Sequence, residues 1–268
     1  MPIRLTPGET WRDVLRGARP QVGMWVCSGS PLVAEICAGS GVDWLLIDTE
    51  HAPNGIESVL AQLQAIAAYP VTSLVRLPID DPVLIKQYLD IGVQNVLVPM
   101  VETEEQARQL VAAVRYPPRG VRGVGTALAR ASRWNRTPDY LAQADAYVSL
   151  TVQIESVEAV ANAEAIAATD GVDAIFVGPS DLAASMGLLG HQDHPDVQDT
   201  VRSVLAAVRR TGKPVGVNAF NPETARNYLS AGADFVLVGA DVALLARGSE
   251  QLGMQFGPDT GQAPTSSY

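Results

Sequence analysis

Two stretches, Leu150-Thr151-Val152-Gln153-Ile154-Glu155 and Gly171-Val172-Asp173-Ala174-Ile175-Phe176-Val177-Gly178-Pro179-Ser180-Asp181, decide the fold. Each contains an apolar run with no polar face, the pattern of a strand buried on both sides in a parallel sheet. Each then delivers a carboxylate where the strand gives way to a loop and an acid has no packing role. Two such acids at one rim point to a divalent metal.

Working outward, the second stretch opens with a glycine, a short polar turn and an apolar run. The same order recurs at Gly41-Val42-Asp43, Gly92-Val93-Gln94, Gly212-Lys213-Pro214 and Gly232-Ala233-Asp234. Helix starts repeat as well. Ser30-Pro31, Asp81-Pro82, Thr137-Pro138 and Asn221-Pro222 each read as a cap followed by proline at the first helical position, and Thr103 with Gln106 fits a capping box. Apolar runs near 22–27, 44–48, 72–77, 95–101, 148–155, 174–178, 214–218 and 235–239 predict eight strands, each followed by a helical segment. Eight βα units in a chain of this length favour an α/β fold of the closed (β/α)8 barrel type, a TIM barrel, over an open doubly wound sheet. No GxGxxG follows the first strand, which argues against a dinucleotide-binding sheet. Residues 1–256 are expected to form the single barrel domain, after a polar start at 1–20, and 257–268 a flexible tail. One long insertion, 115–136, carries Arg115, Arg119, Arg122, Arg130, Arg133 and Arg136 beside Gly123 and Gly125. Loops of this length serve a function or lie against a partner, although a solvated basic loop is the plain alternative.

Composition limits the partners. The 268 residues are 47% hydrophobic and 18% charged, enough for a sizeable core, and the formal net charge is -10. With a pI near 4.7, a polyanion such as nucleic acid or an anionic membrane is repelled over most of the surface. A small-molecule substrate is the remaining expectation. Cys27 and Cys37 are too few for a disulfide framework, and no leader or membrane-spanning segment is evident, so a cytoplasmic location is expected.

The strand ends collect polar residues at one rim: Asp48, Glu50 and His51, then Arg76, Gln153, Glu155, Ser180, Asp181, Asn218 and Asp241. Barrel chemistry sits at this carboxyl end. Glu155 and Asp181 offer hard oxygen donors suited to Mg²⁺ or Mn²⁺, with Gln153 on the same strand face as Glu155; a strand-end acid paired with arginine is the alternative for Glu155. Arg76 is costly at a strand end unless it meets an anion or a cavity. His51, among Asp48 and Glu50, suits a base near neutral pH, or is simply a surface histidine. Asp90 sits at a helix C-terminus, where its charge opposes the dipole and calls for a cation such as a histidine. The only lysines are Lys86 and Lys213, neither placed at this rim, so Schiff-base chemistry is not expected.

Trp44 to Asn54 (WLLIDTEHAPN), Val98-Pro99-Met100-Val101, Arg122-Gly123-Val124-Gly125 with Ala129-Arg130-Ala131-Ser132, and Ile175 to Leu182 (IFVGPSDL) resemble signature segments of the metal-dependent, class II pyruvate aldolases of the HpcH/HpaI type. The resemblance runs from about Arg19 to Phe256. It implies a barrel assembled as a homohexamer, a trimer of dimers exchanging the last helix, with the arginine-rich loop reaching a neighbour's site. It also implies Mg, Mn or Co held by Glu155 and Asp181, and His51 as the general base with its basicity raised by Asp90. Arg76 would stabilise the enolate, and substrate contacts would come from Arg76, Gln153, Asp181 and the main chain at Ser180. The implied reaction is reversible retro-aldol cleavage of a 4-hydroxy-2-oxo acid to pyruvate and an aldehyde, with hydroxypyruvate as another donor. A CoA-ester lyase of the citryl or malyl type, or a non-catalytic oxo-acid-binding barrel, remain alternatives. Trp25, Asn218 and Phe220 are the positions expected to shape the choice of aldehyde.

Overall fold

The computed structural model describes residues 7–17 and 19–257. Eight parallel strands close a barrel in sequence order: β1 (Gln21–Val26), β2 (Trp44–Asp48), β3 (Thr72–Arg76), β4 (Asn95–Val98), β5 (Ser149–Ile154), β6 (Ala174–Val177), β7 (Val215–Asn218) and β8 (Phe235–Ala240), with β8 paired back to β1. The α-helices around it are α1 (Trp11–Val14), α2 (Pro31–Ala38), α3 (Ile56–Ala65), α4 (Pro82–Asp90), α5 (Glu104–Val114), α6 (Tyr140–Gln143), α7 (Val157–Ala161), α8 (Ala163–Ala168), α9 (Pro179–Ser185), α10 (Pro195–Arg210), α11 (Pro222–Ser230) and α12 (Asp241–Phe256). The (β/α)8 expectation holds. The expected tail lies outside the described residues apart from Gly257.

Strands β2, β4, β5 and β6 are buried along their whole length. Across the eight strands, the outward side chains, Val75, Val152 and Val236 among them, pack beneath the helices in one apolar shell. Their inward side chains build a separate plug that includes Trp44, Leu46, Leu74, Phe176 and Phe235. Large rings fit because glycine faces them: a Cβ on Gly23 would lie 2.3 Å from the Trp44 ring, and one on Gly216 would lie 2.2 Å from Phe235. Trp11 of α1 closes the amino end of the plug, with ring centroids 5.1 Å from Trp44 and 5.2 Å from Phe235. Its backbone N–H donates to Asn95 Oδ1 at 2.7 Å. The polar start therefore contributes a core residue, which a lone aromatic with no periodic neighbours does not announce.

The glycines at the expected helix ends, Gly41, Gly92, Gly171, Gly212 and Gly232, all have positive φ, a left-handed turn that side-chain-bearing residues adopt at a cost. Ser30, Asp81 and Asn221 cap α2, α4 and α11 through first-turn N–H groups, each with proline following. The capping box of Thr103 and Gln106 opens α5. Thr137-Pro138 departs from the expectation. Helix α6 begins only at Tyr140, after Asp139 at φ 52°, while the Thr137 N–H donates to Ser132 O at 3.0 Å, so this proline sits in a turn. The cap-proline device appears instead at His194-Pro195, where the His194 ring accepts the Asp196 N–H at 3.2 Å and opens α10.

Chain direction matters for the site. Each helix that follows a strand starts at the carboxyl rim and runs back to the amino end. Asp90, the last residue of α4, and the insertion that begins after α5 thus both lie at the amino end, where Arg130 Nη1 donates to Ile91 O at 3.0 Å.

Candidate active site

The parallel register sets Asp48 of β2 directly beside Arg76 of β3. Arg76 Nε and Nη2 donate to the two Asp48 carboxylate oxygens, each at 2.9 Å, and Nη1 lies 3.0 Å from Glu50 Oε2. Its guanidinium carbon stands 4.2 Å from the centre of the Trp25 ring, and Trp25 Nε1 in turn donates to Asn218 Oδ1 at 3.0 Å. A buried cation at a strand end is thereby held by two acids and an aromatic face. A guanidinium has five N–H donors, so the fork still has capacity toward the cavity it lines.

Glu155, just past β5, is almost wholly buried. Its Oε1 accepts the Met100 N–H at 2.7 Å, and its Oε2 accepts from the Gln153 amide. Met100 reaches it because its backbone turns to φ 55°, an uncommon conformation for such a side chain, directly after Pro99. That turn also ends β4 at Val98, short of the expected 101. Opposite, Gly178 leaves the space: a Cβ there would sit 2.6 Å from Glu155 Oε2 and 2.7 Å from Gln153 Nε2. Burial pushes the Glu155 carboxyl up to about 7; the Met100 N–H and Arg76 oppose the rise, while Asp181 and Glu50 add to it. Gln153 Oε1 is buried without a hydrogen-bond partner among the described residues.

Trp25, Asp48, His51, Arg76, Gln153, Ser180 and Asp181 are among the residues that line one cavity of about 730 Å³ at the carboxyl rim, with Glu155 outside its lining, set behind Gln153 and Gly178. Asp181 enters it from the first turn of α9. His51, on the loop after β2, has a side chain 64% exposed and places Nε2 3.8 Å from Glu50 Oε2. The Glu50 carboxyl is raised by burial, with Arg76 and His51 pulling it down and Asp48 and Asp181 pushing further up. A buried acid, Glu155, an exposed one, Asp181, an orphaned amide oxygen and a cavity open to solvent suit a hard divalent cation that takes further ligands from water or substrate. Among the described residues, no group of three or more His, Cys, Asp or Glu side chains could hold a metal by itself, so Glu155 and Asp181 alone would leave much of the coordination sphere for substrate.

Asp90 does not join this group within the chain. It pairs with Arg122, Nη2 to Oδ1 at 2.9 Å, at the opposite end of the barrel from His51. The insertion is largely knit to its own chain: Arg119 pairs with Asp145 at 3.0 Å, and Arg122 is buried over the Tyr116 ring. Neither lysine lines the cavity; Lys213 donates to Val172 O at the amino end. Cys27 does line it, but burial pushes its thiol up to about 12, far from a thiolate at neutral pH. Asp241 is structural: its carboxylate takes the N–H groups of Cys27 at 2.8 Å, Ser28 at 3.0 Å and Val242 at 2.8 Å, tying the β1 loop to α12. Sequence reading missed Met100 and Gly178. Both lie in segments that carry the family resemblance, and the Gly178-Pro179 break ends an apolar run, but neither residue was given a role of its own.

A profile described as HpcH/HpaI aldolase/citrate lyase matches residues 21–248. A Deinococcus radiodurans protein named hydroxypyruvate/pyruvate aldolase is 55% identical over 256 residues, 95% of this chain and 92% of its own. A Salmonella dublin protein named 4-hydroxy-2-oxo-heptane-1,7-dioate aldolase is 51% identical over 251 residues, 94% of this chain and 95% of its own. The crystal structure of an HpcH/HpaI aldolase/citrate lyase family protein from Burkholderia cenocepacia is similar with a TM-score of 0.87 at 43% identity, over 91% of this chain and 97% of that one.

Proposed function

Because the chain belongs to the HpcH/HpaI aldolase/citrate lyase family and is a carbon–carbon lyase, we propose that it cleaves 4-hydroxy-2-oxo acids reversibly to pyruvate and an aldehyde. The names of its relatives put heptanedioate-type substrates and hydroxypyruvate among the first to try. The observation that carries the reading is the cavity at the carboxyl rim where Arg76, Asp181 and a Gln153 amide oxygen with no partner among the described residues converge, with the buried Glu155 carboxylate directly behind Gln153.

A divalent cation, Mg, Mn or Co, would be held by Glu155 and Asp181 and would supply an electrophile for the 2-oxo group and carboxylate of the substrate. Gln153 and the main chain at Ser180 orient that end. His51 takes the proton from the 4-hydroxyl, the C3–C4 bond breaks, and its electron pair moves through C2 onto the 2-oxo oxygen while the aldehyde departs. Arg76, fixed by Asp48, Glu50 and Trp25, needs no reorganisation to meet the charge gathering on that oxygen. Proton return to C3 makes the methyl group of pyruvate.

Among the described residues, the carboxylate nearest to His51 is that of Glu50 at 3.8 Å. In our reading Asp90 arrives from a second copy, carried with the insertion loop over the cavity mouth, and raises the basicity of His51. The outward apolar residues of that loop, Val121, Val124 and Leu128, and of α12, Leu244, Leu245 and Phe256, are exposed in the single chain, which fits burial against other copies; a homohexamer with exchanged terminal helices is the assembly the family resemblance implies. Two experiments test the reading. Pyruvate release from 4-hydroxy-2-oxo acids, measured on chelated enzyme with each metal restored, should require metal and no CoA ester; full turnover after exhaustive chelation contradicts it. Co-assembly of His51→Ala with Asp90→Asn subunits should give activity above that of either variant alone, since some interfaces then combine an intact histidine with an intact aspartate. No recovery in mixed oligomers places Asp90 outside the reaction.

A further inference from the structure

We propose that Arg122 is a positioning residue for this reaction: it anchors one oxygen of Asp90 and so keeps the other turned outward for His51 of a second copy. The proposal rests on the reading that Asp90 serves His51 across a subunit boundary. Arg122 is a costly residue where it stands. Its side chain is 0% exposed, its guanidinium carbon lies 4.5 Å from the centre of the Tyr116 ring, and Asp90 is its one ion-pair partner among the described residues. A buried guanidinium with a single carboxylate is a poor device for stability alone, because an apolar side chain of similar volume would fill the space without desolvating a charge.

The geometry of the pair gives it a use. Arg122 Nη2 holds Asp90 Oδ1 at 2.9 Å, while Oδ2 carries no hydrogen bond within the described chain and the carboxylate stays 28% exposed. Glycines bound the opening. A Cβ on Gly125 would stand 3.8 Å from Oδ2, and one on Gly123 would meet Lys86 at 3.2 Å. Val121 and Val124, on either side of Arg122 and Gly123, are 67% and 64% exposed. A second copy covering these valines would strip water from Asp90, and a buried charge needs a fixed counter-charge to offset the hydration it loses. Arg122 is that counter-charge, already desolvated before the subunits meet.

The test is a double-mutant cycle of Arg122→Gln and Asp90→Asn in the assembled enzyme, with kcat and kcat/KM followed across pH. The groups facing Asp90 are Arg122 and Tyr116 from the insertion, Tyr140 from α6 and Lys86 one turn back on α4. Those facing His51 are Glu50, with Arg76 and Asp181 behind it. The Asp90 anion favours protonated His51, so losing it moves the acid limb of kcat/KM to lower pH and weakens the base. Arg122→Gln should lower kcat by about 10- to 100-fold and move the limb the same way as Asp90→Asn, and it should cost less than about twofold more once Asp90 is already Asn. Independent, multiplying losses, or a limb that moves to higher pH as it would if the Arg122 charge acted on His51 directly, overturn the proposal while leaving the role of Asp90 intact. If Asp90→Asn alone changes neither kcat nor the limb, the reading beneath it has failed. Should Arg122→Gln not assemble, Arg122→Lys runs in the same cycle: it keeps the charge, should lose less, and must also become silent beside Asp90→Asn.

Discussion

Glu155 should make metal binding depend on pH in a calculable way. Its carboxyl is pushed up to about 7 by burial, against an ordinary value of 4.5. A cation needs the ionised form, so binding must expel whatever proton is there. The apparent dissociation constant is the intrinsic one multiplied by 1 + 10^(pKa − pH), a factor of about 11 at pH 6, about 2 at pH 7 and about 1.1 at pH 8. Calorimetric titration of chelated enzyme with Mn²⁺ should therefore show affinity rising about tenfold from pH 6 to pH 8. Repeating the titration in buffers of different ionisation enthalpy should show about 0.9 proton released at pH 6, about 0.5 at pH 7 and about 0.1 at pH 8. Metal-free stability runs the opposite way with pH. The folded, metal-free carboxyl holds its proton where the unfolded one does not, so the fold is favoured below the unfolded value and loses up to about 3 kcal/mol as pH rises through about 7. Mn²⁺ at pH 8 should recover that loss as a raised melting temperature, and Glu155→Gln should abolish both the pH slope and the recovery. Affinity that stays flat from pH 6 to pH 8 with no proton release, or a Glu155→Gln variant that binds Mn²⁺ as tightly as the parent, would refute the argument.

Gly178→Ala should fold, because φ at this position is -101°, yet its methyl must displace Glu155 or Gln153; we expect unchanged melting in chelator and at least about a tenfold loss of Mn²⁺ affinity by calorimetry. Arg76→Lys offers one compact ammonium where a fork now spans Asp48 and Glu50, so kcat for pyruvate release should fall by about 10²- to 10³-fold with KM changed far less. His51→Ala should lower kcat by about 10²- to 10⁴-fold, and an unchanged kcat removes it as the base. Trp11→Ala, at the end of the barrel away from the cavity, should lower stability by about 3–5 kcal/mol in a denaturant titration while leaving kcat near parental where the protein stays folded.

The barrel was legible because each of its units repeats a local rule. A glycine such as Gly171 or Gly232 ends a helix, a short turn follows, and an apolar run has no polar face; each signal is confined to a few neighbouring residues. The rim was legible for the same reason, since Asp48, Arg76 and Glu155 sit at ends of runs whose direction the alternation already determines. What escaped is what depends on the distance between runs. Met100 matters through a backbone turn that aims its N–H at Glu155, fifty-five positions away, and no property of a methionine side chain records that. Gly178 matters through the atom it lacks, opposite Gln153 and Glu155 on the neighbouring strand. Trp11 matters because Gly23 and Gly216 leave room for large rings inside the barrel, a fact shared among three separate segments. Asp90 lies at the limit of both kinds of reading. Its place at a helix C-terminus, where its charge opposes the dipole, correctly marked it as needing a cation, and within the chain that cation is Arg122. The same helix direction that makes the mark visible also carries Asp90 to the end of the barrel away from His51, so one chain cannot complete the pair. A helix that starts at the catalytic rim can return its last residue to catalysis only on another subunit, which makes assembly a requirement of the chemistry proposed for this fold.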